Sequence, residues 1–347
     1  MHMADALISP AVGGVMWLAT AGLAAYSAKK VKKEIDENKV PLMGVLGAFI
    51  FAAQMINFTI PGTGSSGHLG GAMILAILLG PHAAFLTIAS VLTVQALFFA
   101  DGGLLALGCN VFNLGFFPCF IAYPFIYKQI VGERPNQKRL FIGATMASMI
   151  GLQLGAFGVV LETISSGISD LPFSTFVLLM QPIHFAIGIV EGLVTTAVIL
   201  FVWKERPEII QKAAMAEPLG NLVIKPVLVG LLAVTVVTGG VLSWFASSDP
   251  DGLEWSLAKA TGVEELQEPE EGIYGIVAEI QKKVAFLPDY NFKESEEAEV
   301  NSSKVKGDES WPAINSGTST AGLVGAMMTL LLAGVIGKGL QLSIKRN

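Results

Sequence analysis

Long apolar runs divide this chain, and most of its positive charge lies in short segments between them. A helix needs about 20 apolar residues to cross a bilayer. In hydrocarbon every backbone N–H and C=O must be satisfied internally, which leaves helices or closed barrels. Runs of helical length occupy 10–28, 41–60, 104–127, 140–164, 174–203, 223–246 and 319–340. The stretch 69–100 is longer than one span and carries Gly80-Pro81 near its middle. Proline cannot continue a helix without losing a hydrogen bond, so two short helices are expected there, 69–80 and 81–100. The pattern predicts an all-α polytopic membrane protein with about nine crossings.

Composition supports this class. Only 14% of the 347 residues are charged and 52% are hydrophobic, against about 25% charged in a soluble domain. The chain's environment is the lipid bilayer, and a nucleic-acid partner is excluded. The net charge of −6 comes from one acidic block, 249–309. Cys109 and Cys119 lie in an apolar run without a CxxC spacing, which indicates neither a disulfide framework nor a thiolate zinc site. The chain opens without a basic n-region, so its first apolar stretch reads as a true span.

Apart from the acidic block, every Lys and Arg falls in Lys29 to Lys39, Lys128 to Arg139, Lys204 to Lys225, or Lys338 to Arg346. The positive-inside rule makes all four cytoplasmic. The N-terminus, loop 60–68, Asp101-Gly102-Gly103, 162–173 and the block 247–318 then face outward, and the C-terminus faces the cytoplasm. This parity requires 69–100 to cross twice. The expected organisation is a seven-span unit over 1–203, a cytoplasmic linker over 204–222, and a two-span unit over 223–347. The last encloses an extracytoplasmic domain, about 247–318, within which 291–311 reads as flexible and polar.

Met1-His2-Met3 opens the chain. A free terminus of this kind offers one metal ion the Met1 amine, the His2 backbone nitrogen and the His2 ring Nδ1. One further imidazole would complete a planar four-nitrogen set, which points to Ni(II) or Cu(II). Without that imidazole, His2 reads as an ordinary frayed end. Binding would require loss of the amine and amide protons and so release protons.

Four histidines exist: His2, His68, His82 and His184. The topology puts His68, at the end of the glycine-rich Ile60–Gly67 stretch, on the same face as His2. The bland reading of His68 is a surface loop histidine. His184 and Glu191 are seven apart, two turns, on one face of the span 174–203. Ionisable residues inside a span usually face the bundle interior. His184 could orient the metal ligands from behind, or serve as a helix-packing hydrogen bond. Gln54 with Asn57, and Asn110 with Asn113, share helix faces that could wall a polar pocket. Asp5, just behind the chelate, could accept a hydrogen bond from a ligand or lie exposed. His82 at the proline break reads as structural. The scattered methionines raise Cu(I), but their positions fit gap-filling better. Ala21 with Ala25, and Ala24 with Ala28, form small-residue faces for close helix contact. No Walker A sequence is present, and Glu162 and Glu191 are the only acids that could relay protons within spans, so any engine for uphill transport would be another subunit.

Several segments together carry a family resemblance: Met1-His2-Met3, Gly64-Ser-Ser-Gly-His68-Leu-Gly-Gly71, Leu79-Gly-Pro-His82-Ala-Ala, Val94-Gln-Ala-Leu-Phe-Phe-Ala-Asp-Gly-Gly103 and Leu107-Gly-Cys-Asn-Val-Phe-Asn113. They resemble the CbiM/NikM family, the substrate-binding (S) components of energy-coupling factor (ECF) transporters for cobalt and nickel, over about 1–203. Pro250-Asp-Gly-Leu-Glu254 resembles the PDGLE signature of the CbiN/NikN accessory component, here fused. The resemblance implies a seven-helix S-component bundle whose N-terminus dips back into it. It implies Ni2+ or Co2+ as substrate, held by Met1, His2 and His68, and as partners an ECF transmembrane coupling subunit and cytoplasmic ATPase subunits in a prokaryotic cell membrane. His82 departs from the aromatic expected in many cobalt members. Two other readings stand beside this one. A membrane metalloenzyme would use His68, His184 and Glu191 and keep an open coordination position. A secondary metal/proton antiporter would use Glu191 as its relay.

Overall fold

The computed structural model describes residues 2–132, 135–263, 266, 267, 269, 271–293 and 311–345. Met1 and most of the polar stretch 291–311 lie outside the described residues. Six helices among the described residues are long and apolar enough to cross a membrane. They are α1 (Pro10–Val31), α4 (Pro81–Phe99), α5 (Leu107–Val131), α6 (Gln137–Ser166), α7 (Phe173–Glu205) and α12 (Ser316–Lys345). Shorter apolar helices are α2 (Lys39–Gln54), α3 (Ala72–Leu79) and α9 (Lys225–Gly240). The chain is a multi-pass, mostly helical membrane protein.

Local chemistry sets the ends of these helices. Ser9 accepts the Val12 N–H at the start of α1, with Pro10 in the first turn. The Asp36 carboxylate accepts the Asn38 and Lys39 N–H groups at 3.0 and 2.7 Å before α2. Gly80, at φ +81°, and Pro81 separate α3 from α4, a conformation that only glycine adopts readily. Pro118 and Pro124 lie inside α5, whose turns widen to π geometry over Phe112–Tyr127. Each proline removes one N–H from the helical ladder, and wider turns absorb the mismatch.

Three expectations need correction. The second span was expected over 41–60, but α2 stops at Gln54. The chain then forms a hairpin in which β1 (Phe58–Ile60) pairs antiparallel with β2 (Ser65–Gly67) in the register Phe58 to Gly67. Asn57 therefore lies beyond the helix and shares no helical face with Gln54; apolarity alone does not distinguish a helix end from a short buried strand. Second, α3 is only about 12 Å long, well under a bilayer core, so helix makes up only part of any crossing over 69–80. Third, 204–222 is more than a tether. It contains α8 (Pro207–Met215), whose Ile209, Ile210 and Ala213 are buried and which packs beneath α3.

The non-helical chain directly before α3, residues 65–71, is buried, and side chains pair with its backbone, as an apolar setting demands. Both Glu191 oxygens accept from the α3 N-terminus, Oε2 from Gly70 N–H at 3.1 Å and Oε1 from Gly71 N–H at 3.0 Å. Gln54 donates to the Gly70 carbonyl at 2.9 Å and accepts from Gln95 at 3.0 Å. A carboxylate at a helix N-terminus is favoured by the unpaired N–H groups and the helix dipole.

The basic segments gather at one end. Asn38 donates to the Gly220 and Leu222 carbonyls, Gly220 N–H donates to Asp36, and Lys128 donates to the Ala214 carbonyl. Here a buried Lys39–Glu34 pair closes at 2.8 Å. His82 lies 3.3 Å from the Ser27 hydroxyl, against Tyr26 and Phe120. On α1, Ala21 and Ala25 are exposed, while Ala24 and Ala28 are partly buried. The opposite end holds residues 2–8, the hairpin, the 100–106 loop, α10 (Gly252–Thr261) and α11 (Ile273–Val284).

The two-helix unit packs through α12 and α9 against α2. Helices α9 and α12 meet backbone to backbone at Gly239 and Gly322, where a Cβ on Gly322 would collide with the Gly239 carbonyl. Gly322→Leu should therefore destabilise the fold by about 1–3 kcal/mol through overpacking. Gly334→Leu, at a position with open space, should change little. Thermal unfolding of the full chain in detergent compares the two.

Candidate metal centre

The centre is built by seating the N-terminal segment. Asn110 on α5 brackets one backbone unit: its Oδ1 accepts Met3 N–H at 2.8 Å and its Nδ2 donates to the Met3 carbonyl at 3.1 Å. That carbonyl also accepts Gly103 N–H at 2.9 Å. The Met3, Leu7 and Ile8 side chains are buried. Asp5 turns away from the histidines and accepts Ala106 N–H at 2.8 Å. Burial raises its pKa, partly countered by backbone donors of 104–106. Gly102 and Gly103 are required here. Gly102 sits at φ +80° against Asn110, and a Cβ on Gly103 would overlap the Asp5 carboxylate.

This seating brings His2 to His68. The rings lie parallel, with centroids 4.9 Å apart and planes 4° off. His68 Nδ1 lies 3.1 Å from the Leu69 carbonyl. A carbonyl only accepts, so Nδ1 carries the proton and the lone pair is on Nε2. His68 Nε2 is 4.0 Å from Asp251 Oδ2. Burial drives the His68 pKa down to about 3, so the ring is a neutral potential ligand at ordinary pH. His2 Nδ1 lies 3.1 Å from Asp101 Oδ1, while the buried Nε2 makes no hydrogen bond to the described residues. Tyr290 donates to the other Asp101 oxygen. Burial would raise Asp101, but the His2 charge and the hydrogen bonds from His2 and Tyr290 hold it below its usual range. The imidazole pair thus stands between two carboxylates, one from each unit.

Residues 2–209 match the family model described as CbiM, the cobalt uptake substrate-specific transmembrane region, and 225–342 match the PDGLE domain. The chain belongs to the CbiM family. It joins a CbiM/NikM-type unit and a NikN-like PDGLE component in one polypeptide. It is 34% identical over 224 residues to a NikMN-type fused nickel transport protein of Archaeoglobus fulgidus, covering 65% of this chain and 72% of that one. It is 25% identical over 287 residues to the cobalt transport protein CbiM of Geobacter sulfurreducens, covering 78% and 80%. The crystal structure of a truncated transition metal transporter matches with a TM-score of 0.53 at 31% identity, covering 59% of this chain and 99% of that one.

Within the CbiM unit, His184 comes near His68 without touching His2. Its Nδ1 lies 2.8 Å from the Met180 carbonyl, and its buried Nε2 has no hydrogen-bond partner among the described residues. His184, His68, Asp251 and Gly252 border a cavity of about 10 Å³, room for about one water. Gly252 is fitted against the His184 ring, where a Cβ would come within 3.1 Å. Asn57 lines a larger polar cavity together with His2 and His68. Asn110 and Asn113 both serve the N-terminal segment: Asn113 Nδ2 donates to Glu162 at 2.6 Å and lies 4.0 Å from the Met3 sulfur. Cys109 and Cys119 are buried and free.

Sequence reasoning missed Asp101, Asp251, Tyr290 and the seating role of Asn110. Asp101 carried a signal, being the only acid between residues 38 and 132. Among the described residues no group of three or more His, Cys, Asp or Glu converges as a metal-binding cluster.

Two outcomes follow. Asn110→Ala should lower metal affinity about ten-fold, the worth of one or two lost hydrogen bonds, while leaving the helical spectrum intact; isothermal titration of purified protein measures this. Free histidine titrates near 6.5 and folded His68 near 3, so as pH falls the unfolded chain takes up a proton first. Its contribution to stability is intact above pH 6.5 and is lost progressively between 6.5 and 3. His68→Gln should flatten the pH dependence of the thermal midpoint in that window.

Proposed function

We propose that this chain captures Ni2+ (or Co2+) as the substrate-specific S component of an ATP-driven ECF transporter. One observation carries the reading: the N-terminal segment is threaded into the bundle with the His2 ring parallel to that of His68, 4.9 Å away. The donors are the Met1 amine, the His2 amide and imidazole nitrogens, and the His68 imidazole. The His68 lone pair on Nε2 suits that role. The His2 Nδ1 faces Asp101, so loading turns the ring from the carboxylate to the ion. A planar four-nitrogen set suits low-spin Ni(II), and we favour nickel as substrate on that ground. The names of the relatives, fused nickel transport protein and cobalt transport protein, agree with this cargo.

The positive-inside rule assigns the basic end to the cytoplasm, so the centre takes its ion from outside the cell membrane. In this reading 1–203 is the S component, 204–222 a cytoplasmic linker, and 223–347 an accessory unit with an extracytoplasmic domain. Energy comes from an ECF coupling subunit and cytoplasmic ATPase subunits. The antiporter reading loses support because both Glu191 oxygens are engaged by backbone N–H groups. The metalloenzyme reading needs an open coordination position, which a filled square plane does not offer.

Two residues added before Met1 should abolish tight Ni2+ binding and uptake, and His68→Ala should do the same. A yellow, diamagnetic nickel form of the unmodified protein would match the planar set. Unimpaired binding by the extended chain would sink the proposal. Uptake into vesicles without ATP or partner subunits would restore the antiporter.

A further inference from the structure

Helix α11 has three edges of different chemistry. One faces the bundle: Tyr274 is buried and donates to the Ile8 carbonyl at 2.9 Å, and Gln281 donates to the Ala96 and Gly102 carbonyls at 2.8 Å each. At about 100° per residue, Ile273, Ile280 and Val284 fall about 90° to one side of that edge, with Ile276 beside them. Lys282 falls about 90° to the other side. The exposed Glu279–Lys283 pair lies between Lys282 and the apolar edge. The apolar edge is uncovered: Ile276 is 61% exposed and Ile280 46%. Phe286 carries it past the end of the helix and is also exposed.

The contacts fix how the helix lies. Ile8 directly precedes the start of α1, and Ala96 is in the last turn of α4. Tyr274 is in the first turn of α11 and Gln281 in the last. A helix about 18 Å long is thus pinned at both ends to the same rim of the bundle, the rim opposite the basic segments. It lies across the spans, not parallel to them. With one edge against the bundle, one of the other two looks back along the spans into lipid and the remaining one into water. The side chains decide which is which. Phe286 packs on Phe98 and Phe99 of α4, with ring centroids 5.8 and 6.2 Å apart, and Leu287 N–H donates to the Phe98 carbonyl. The apolar edge therefore runs on to a membrane-spanning helix. The opposite orientation would put Lys282 in hydrocarbon and three isoleucines in water. Exposed Trp17, Phe245 and Trp311 belong to the same end, as the aromatic belt of a membrane–water boundary does.

We propose that α11 is an interfacial helix, seated by its Ile273, Ile276, Ile280 and Val284 edge in the phospholipid leaflet at this end of the bundle. Its apolar side chains reach the boundary of headgroups and acyl chains, while Lys282 and the Glu279–Lys283 pair stay among headgroups and water. The occupant of this edge is lipid, because the edge is continuous through Phe286 with the surface of a spanning helix. The proposal concerns the bilayer and stands apart from the cargo. Its consequence is local: the bonds from Tyr274 to Ile8 and from Gln281 to Gly102 flank the seated N-terminal segment, and the membrane holds the helix that makes them.

The test uses the full chain in phospholipid nanodiscs. Ile276→Cys, Ile280→Cys, Glu279→Cys and Lys282→Cys, all at exposed positions, are spin-labelled one at a time. Cys109 and Cys119 are buried, and labelled wild type gives the background. Power saturation compares oxygen, which concentrates in lipid, with chromium oxalate, which stays in water. Labels at 276 and 280 should favour oxygen, at a depth of about 5–10 Å; labels at 279 and 282 should favour oxalate. Labels at 276 and 280 that meet oxalate as freely as those at 279 and 282 overturn the proposal. Labels shielded from both reagents overturn it too, since a second copy or another protein would then cover the edge. A measurement without substitution accompanies this one. In nanodiscs carrying a diazirine on the acyl chains, illumination should place carbene adducts on Ile276, Ile280, Val284 or Phe286 of wild type, and none on Glu279 or Lys282. Adducts on the exposed face of α1 with none on α11 overturn the interfacial seat.

Discussion

The arrangement of this centre depends on how one backbone unit is held. Met3 offers an N–H and a C=O; Asn110 takes both, and Gly103 N–H adds to the second. A side-chain amide carries a donor and an acceptor side by side, so it can pair with both the N–H and the C=O of one residue in the manner of a neighbouring strand. Without it, the buried Met3 N–H would lose its partner, at a cost of about 1–3 kcal/mol, and the Met3 carbonyl would keep only Gly103 N–H. A chain end normally frays. Here it is fixed in register, and that register aligns the His2 ring with His68.

The same economy governs His68. Its loop leaves helical geometry inside an apolar bundle, which is tolerated only where the chain is enclosed by protein. Glu191 and Gln54 supply the missing partners on one side. The PDGLE segment supplies others, since Ser66 donates through its N–H and hydroxyl to the Pro250 and Asp249 carbonyls at 2.8 and 2.7 Å. The hairpin carrying His68 is thus held from beneath by a carboxylate of α7 and from above by the fused unit. The sequence offered Glu191 as the relay of the alternative antiporter reading; the geometry shows its carboxylate capping the α3 N-terminus.

Much of the fold was legible because its signals are local. The Gly80-Pro81 break needs only the lost N–H and the positive φ, and the long spans need only length and apolarity. Features fixed by distant partners were not legible. Nothing near Gln54 says that α2 ends there; the hairpin that follows is stabilised by Ser247 and Trp255, whose bonds reach Asn57 and Thr63 from about 190 residues away. The helix α8 is amphipathic and short, and its composition resembles a linker until α3 lies above it. At the centre, His2 and His68 could be paired from topology. Asp101 and Asp251 could not, because an acid in a Gly-rich turn and an acid in a helix cap look alike in sequence. Asp251 does serve as a cap, accepting from Leu253 and Glu254, and that role hid its second position beside His68.

The two carboxylates tie the fused unit to the two histidines. Asp101 holds His2 and is itself held by Tyr290 of the fused unit. His68 stands 4.0 Å from Asp251, also of the fused unit. Around them Tyr274 donates to the Ile8 carbonyl at 2.9 Å, and Gln281 to the Ala96 and Gly102 carbonyls at 2.8 Å each. An ion that draws the His2 ring from Asp101 leaves that carboxylate with Tyr290 alone. The grip between the units would then change with metal binding, because one carboxylate serves both, through Oδ1 to His2 and Oδ2 to Tyr290. Free energy coupled in this way is reciprocal: whatever loading does to the contact between the units, that contact does to metal affinity. Fusion in one chain keeps Tyr290 and Asp251 beside the two histidines without an encounter between separate subunits.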